Sequence, residues 1–188
     1  MESAASGDSI SAIRGDPAAF EVFYRAYVNT VTRFVARRVN DPHLVADLTA
    51  EIFLAVIESS HTYRPDRGSP VAWLFGVARH VVATEQRRAH RELQANRRLA
   101  GRRLVDAADI ARLEERIDAE SAARHTFQLL ADLPAPTRAL LELIAVDGLT
   151  VPEAAAALNI SQVTARVRLH RARKALRHTL VQPHPALA

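Results

Sequence analysis

Basic residues recur at helical spacing in "TARVRLHRARKALR", residues 164–177, which holds five arginines, one lysine, one histidine and no acid. A guanidinium fork can bind a phosphate or a guanine edge through two parallel hydrogen bonds, which a lysine point charge cannot do. Advancing about 100° per residue from Val163 places Ala165, Leu169, Ala172, Leu176 and Leu180 in one sector. Arg166, His170, Arg173, Lys174 and Arg177 then point the other way, with Arg171 and Val167 on the flank. Such a helix buries one face and presents the other, positive dipole end first, to a polyanion. Its chemistry is recognition. Each arginine–guanine pair is worth about 1–3 kcal/mol of discrimination, and each phosphate contact adds about one unit of salt dependence.

Bond-making chemistry is not signalled. Of the 8 histidines, none pairs with another at HExxH spacing, and His43, His61, His90, His125 and His184 read as ordinary surface or boundary residues. There is no glycine-rich phosphate loop and no nucleophile with a neighbouring base. No catalytic, metal-binding or cofactor residue is assigned, and the chain is not expected to be an enzyme. With 0 cysteines, disulfides and cysteine-bound zinc are excluded.

Charge is unevenly placed on the 188-residue chain, whose net charge is +4 and whose pI is near 10.3. A basic block spans 79–103, an acidic one 105–120, and a second basic one 162–178. Lys174 is the only lysine. Two basic blocks around an acidic one suggest two nucleic-acid-facing surfaces. Apolar runs such as "GSPVAWLFGVA" are too short to cross a bilayer, so no membrane insertion is expected. The start, "MESAASGDSI", lacks the basic and apolar regions of a secretory signal, which makes a cytoplasmic location the default.

The elements that must hold these surfaces are helical, and the fold class is all-α. "DPAAFEVFYRAYVNTVTRFVARRV" and "DPHLVADLTAEIFLAVIES" both open on an Asp-Pro pair, a cap followed by a first-turn proline. The second carries Asp41, Asp47, Glu51 and Glu58 with no basic residue outside His43. "YRPDRGS" breaks the pattern, and Ser69-Pro70 opens a third helix through "VAWLFGVARHVVATEQRRAHRE". Trp73 and Phe75 fit a hydrophobic core better than a stacking role. Helical periodicity weakens after Leu93 and resumes from Leu113 to Leu133.

Punctuation is clearest near the end. A helix from Pro134–Thr137 stops at Asp147-Gly148. Thr150 and Glu153 have capping-box spacing. Asn159 suits a left-handed helix end, and Ser161 caps the final helix. Two helices joined by a short turn make a helix-turn-helix.

Two stretches resemble a known family. "LPAPTRALLELIAVDGLTVPEAAAALNISQVTARVRLHRARKALR" is similar to the C-terminal promoter-binding domain of bacterial RNA polymerase sigma factors of the extracytoplasmic-function (ECF) group. "ADLTAEIFLAVIESSHTYRPDRGSPVAWLFGVARHVVATEQRRAHR" resembles the N-terminal domain of that group. The resemblance implies a tail over 1–15, sigma region 2 over 16–93, a linker over 94–120, sigma region 4 over 121–181 and a tail over 182–188. It implies two small helical domains that direct polymerase core enzyme to promoters.

By the same resemblance, Asp47, Leu48, Glu51 and Phe53 would dock on the β′ clamp, and region 4 would meet the β flap. Tyr63, Arg64, Asp66, Arg67, His80, Thr84, Arg87, Arg88 and Arg91 would take the −10 element and the melted strand. Arg166, Val167, His170, Arg171, Arg173 and Lys174 would take the −35 element. The family commonly has Asn at the place of His80, Asp or Asn at Thr84 and often Ser at Val167, and a valine can meet a thymine methyl. An anti-sigma factor is expected as a further partner, and no obligate homo-oligomer is. The rival reading is a one-component helix-turn-helix regulator whose N-terminal helices bind a ligand or dimerise. It leaves the acidic second helix and the second basic block without a purpose.

Overall fold

The structure, a computed structural model, describes residues 7–95, 130 and 133–181. A short helix, α1 (Gly7–Ala12), comes first, inside the segment expected as a tail over 1–15. Ile10 and Ile13 are buried and pack this segment onto the next helix and the turn at Ser60–Thr62. Two isoleucines three apart are enough to seat a short helix on an apolar bundle.

Asp16 and Asp41 each accept the amide of the residue two positions on at 2.9 Å, opening α2 (Pro17–Ala36) and α3 (Pro42–Ser59). Short 3-10 turns at Ser60–Thr62 and Pro65–Arg67 lead to α4 (Pro70–Ala95). Ser69 Oγ caps α4 by accepting the Ala72 amide at 3.2 Å. Three antiparallel helices cannot bury their stripes alone, and together they enclose Phe23, Val31, Phe34, Val35, Val45, Ile52, Val56 and Leu74. Each such side chain contributes about 1.5–3 kcal/mol by leaving water. Phe53 lies edge-on to Phe20 and Phe23, and Phe34 meets Phe75 edge-on at 5.3 Å.

The second group begins with α5 (Ala135–Leu141). Its last turn, Glu142–Val146, widens to five-residue spacing, the Asp147 amide donating to the Glu142 carbonyl at 3.1 Å. Gly148, at φ 76°, ends it in the left-handed region. Next come α6 (Val151–Ala157) and α7 (Gln162–Val181). Leu140, Leu143, Leu149, Ala154, Ala155, Ala165 and Leu169 form this group's interior.

The two groups pack against each other, and the apolar core is continuous between them, with α6 lying on α4. Sequence patterning contains no sign of this, because patterning marks which face is apolar and not which partner covers it. The expected linker over 94–120 lies outside the described residues from position 96 on. The helical pattern resuming at Leu113 is outside them except for Leu130 and Leu133, as is the tail over 182–188. The side chains of Leu176, Arg177 and Leu180 also fall outside the description. Among the described residues there is no strand, and no helix is long and apolar enough to cross a membrane.

Candidate nucleic-acid interface

The capping box at the start of α6 is closed in both directions. Glu153 Oε2 accepts the Thr150 amide at 2.9 Å and the Thr150 hydroxyl at 2.6 Å, while the Glu153 amide donates back to Thr150 Oγ1 at 3.4 Å. Burial pushes the Glu153 carboxyl up, but the Thr150 and Ser69 hydrogen bonds outweigh it and hold the group below its ordinary value. Asn159, at φ 51°, turns the chain, and Ser161 Oγ accepts the Thr164 amide at 3.1 Å to start α7.

On α7, Ala165, Leu169 and Ala172 are buried, as their sector requires. Arg166, Val167, His170, Arg171, Arg173 and Lys174 are all exposed, whereas Arg168 is half-buried. The helix offers water one cationic side with two exposed valines, Val163 and Val167, inside it. That surface can straddle a groove, place guanidinium forks on base edges and meet the phosphates on either side.

A second surface gathers around the loop over 60–69. Tyr63, expected as an accessible reader of DNA, is 5% exposed, and its hydroxyl donates to the Gly68 carbonyl at 3.3 Å. Its ring supports Trp73 edge-on at 5.8 Å, and the Trp73 indole donates to Thr62 Oγ1 at 3.4 Å. Trp73 is half-buried, packs against the core on one side, and also lines a cavity of about 490 Å³ with Thr62, Tyr63, Arg64, Arg67 and Gly68. An aromatic wall beside two arginines suits an unstacked base and its phosphate. Asp66 and Arg67 are exposed at the loop tip.

His80 and Thr84 lie one turn apart on the outer side of α4. Thr84 Oγ1 donates to the His80 carbonyl at 2.8 Å and accepts from Arg87 Nη2 at 2.9 Å, so Thr84 and Arg87 act as one unit. Arg88 and Arg91 extend the cationic track, with Glu85 3.7 Å from Arg88. His80 also borders a second cavity, of about 520 Å³, whose walls include Trp73, Gly76 and Ala157.

The expected polymerase face divides. Asp47 and Glu51 are exposed on α3, while Leu48 and Phe53 are 2% and 3% exposed and belong to the core. The exposed apolar residue on this face is Leu54, 61% accessible, one turn beyond Glu51. Spacing 47, 51, 54 is the signal that finds it, since Leu48 and Phe53 fall on the opposite stripe. Val22 and Tyr24 add apolar surface on α2, and Tyr24 meets Phe53 edge-on at 4.7 Å between centroids.

Sequence reasoning misses one charged cluster altogether. Arg38 makes a two-point pair with Asp147, at 3.1 Å to Oδ1 and 2.6 Å to Oδ2. Arg37 donates to the same carboxylate at 3.3 Å and to the Val146 carbonyl at 2.8 Å. The Asp147 side chain is 0% exposed, and the Arg38 guanidinium lies 3.7 Å over the Phe34 ring. Arg79 and Glu142 sit beside them. Burial lowers the Arg79 pKa and raises that of Glu142, the latter opposed by Arg38, Arg138 and Arg79. Asp147 reads in sequence only as a helix stop, because its partners are about 110 residues away.

Among the described residues, no three His, Asp or Glu side chains gather as a metal site needs. A family model described as sigma-70 region 2 matches residues 23–92, and one described as sigma-70, region 4 matches residues 127–176. The probable RNA polymerase sigma-C factor of Mycobacterium bovis is 33% identical over 169 residues, covering 89% of this chain and 86% of that one. The ECF RNA polymerase sigma factor SigD of the same organism is 37% identical over 138 residues, covering 72% and 62%. The solved structure of CnrH in complex with the cytosolic domain of CnrY superimposes with a TM-score of 0.58 at 23% identity, covering 94% of this chain and 97% of that one.

Proposed function

The chain belongs to the ECF family of RNA polymerase sigma factors, and on that premise we propose how its residues divide the work. Sigma factors bind the polymerase core enzyme and direct initiation at promoters, and this chain does the same. The proposed reading assigns residues 16–93 to core-enzyme and −10 binding and residues 121–181 to −35 binding and the β flap. Asp47, Glu51 and Leu54 meet a cationic surface of the β′ clamp, where exposed acids favour fast, oriented docking. Leu48 and Phe53 act through the packing that shapes this face.

The observation that carries the reading is the cationic side of α7, with Arg166, His170, Arg171, Arg173 and Lys174 exposed and no acid among them, on the second helix of a capped helix-turn-helix. Arg166 and Arg171 read base edges with His170 and Val167 between them, and Arg173 and Lys174 take phosphates. On α4 and its preceding loop, Arg64, Asp66, Arg67, His80 and Thr84 face the −10 strand, and Arg87, Arg88 and Arg91 hold its backbone. Tyr63 contributes by bracing Trp73, which supplies the stacking face.

The chain is proposed to work in the cytoplasm and to lack catalytic activity, leaving chemistry to the polymerase. CnrH was solved with a cytosolic protein domain bound, and a protein partner of that kind, an anti-sigma factor, is proposed here too. Run-off transcription from a promoter library, with core enzyme with and without this chain, tests the reading. New start sites sharing −35 and −10 motifs support it. An unchanged start-site profile, or duplex-specific binding by the free chain with no need for polymerase, overturns it.

A further inference from the structure

Five large apolar side chains are exposed among the described residues, and they gather on two faces. Val22, Tyr24 and Leu54 lie on the side proposed for the β′ clamp, whereas Val163 and Val167 lie on α7. A lone exposed valine is ordinary on a protein surface, but this pair stands inside a cationic reading face. We infer that Val163 and Val167 are specificity-determining residues, each seated on a thymine methyl group in the major groove of the −35 element. That α7 lies in this groove rests on the functional reading above; which bases it selects goes beyond it.

Their position on the helix decides what they touch. At about 100° per residue, Val163, Val167, His170 and Lys174 fall within a sector of about 60° running down the middle of the exposed side. Arg166 and Arg173 flank that ridge on one edge, and Arg171 flanks it on the other. A helix laid in a groove pushes its central ridge deepest and turns its flanks toward the two phosphate walls. The arginines straddle the ridge, and the valines form its first two turns. Val163 is the second residue of α7, at the end where recognition helices meet base edges. The valines are 68% and 44% exposed and take no part in the apolar core, which α7 meets through Ala165 and Leu169.

Thymine is the one base that shows a methyl group in the major groove. A valine pressed against a guanine or adenine edge takes polar atoms out of water and returns no hydrogen bond. Against thymine, both partners bury apolar surface. Valine is held near one rotamer in a helix, so contact costs little side-chain freedom. Four residues of α-helix advance about 6 Å, against about 3.4 Å per base step, which places the two thymines one or two base pairs apart.

Removing the methyl alone is the sharpest test, because deoxyuridine pairs as thymidine does and lacks only that group. Full-length chain and core enzyme form holoenzyme, which selects from a promoter duplex pool randomised over the −35 element. The selected duplex is resynthesised with deoxyuridine at one thymine at a time. Holoenzyme affinity is then measured for wild type, Val163→Ala and Val167→Ala. Both positions are exposed and alanine is the stronger helix former, and circular dichroism checks that helix content is kept.

Wild type should lose about four-fold in affinity at each of two thymines one or two base pairs apart. Each alanine variant should bind the unmodified duplex more weakly and lose the deoxyuridine penalty at its own thymine, while keeping it at the other. Variants that weaken every duplex alike and keep both penalties give the valines a structural role and overturn the inference. So does a wild type indifferent to deoxyuridine, or a selected element without two such thymines. Failure of the functional reading is distinct, since holoenzyme then selects no −35 element at all.

Discussion

Under the proposed reading, Arg171 and Glu51 serve opposite ends of the work, DNA reading and core-enzyme docking, and substituting each alone tests its assignment. Arg171→Ala removes one guanidinium fork from an exposed face, so −35-dependent transcription should fall about 5- to 150-fold while core-enzyme affinity holds. Run-off assays paired with fluorescence binding to core enzyme check both halves of that statement. Glu51→Arg should do the reverse, weakening holoenzyme assembly and leaving −35 preference intact once holoenzyme forms. Leu54 and Leu48 separate surface from core on one helix. Leu54→Ala should weaken core-enzyme binding with little change in unfolding free energy, whereas Leu48→Ala should cost about 2–5 kcal/mol in denaturant titration. The α7 side chains were legible from spacing alone, since one helix decides its own faces. Trp73 was only half legible: it packs on the core as its apolar run suggests, but the cavity it lines depends on the loop over 60–69 and on Ala156, Asn159 and Ile160, far away in sequence.

Helix ends were the most readable elements, because capping is local chemistry written within four residues. Asp16, Asp41, Ser69, Thr150 with Glu153, and Ser161 all make the hydrogen bonds that their types suggest. Thr150→Ala should cost about 0.5–2 kcal/mol and show as a lower unfolding midpoint. Glu153 adds a pH signature. Its folded-state pKa is lowered, so its contribution is full above the ordinary carboxylate value and is lost as pH falls through the folded one. Acid titration of Glu153→Gln against wild type should show the stability difference shrinking over that acidic window; a difference unchanged by pH would contradict it. α1 was missed because two isoleucines in a polar, Ser-rich stretch make too weak a period, and the bundle beneath supplies what the segment lacks.

The whole molecule combines local rules with one long-range arrangement. Two helical groups, their order and the basic helix at the end follow from patterning; the packing of α6 on α4 does not, since small residues such as Gly76, Ala156 and Ala157 name no partner. In holoenzyme, phosphate contacts spread over both groups should make promoter affinity steeply salt-dependent. Arg173→Ala and Lys174→Ala should each lower the salt slope by about one without altering base preference, measured by binding across a salt series. The widened turn over Glu142–Val146 has a consequence for everything after it. One surplus residue sets the angular phase of Asp147, and with it the heading of α6 and α7. Deleting Ala145 would wind that turn tight and swing the chain beyond it by about 100°. The recognition helix would stay intact yet aim away from its groove, like a key cut correctly and mounted sideways.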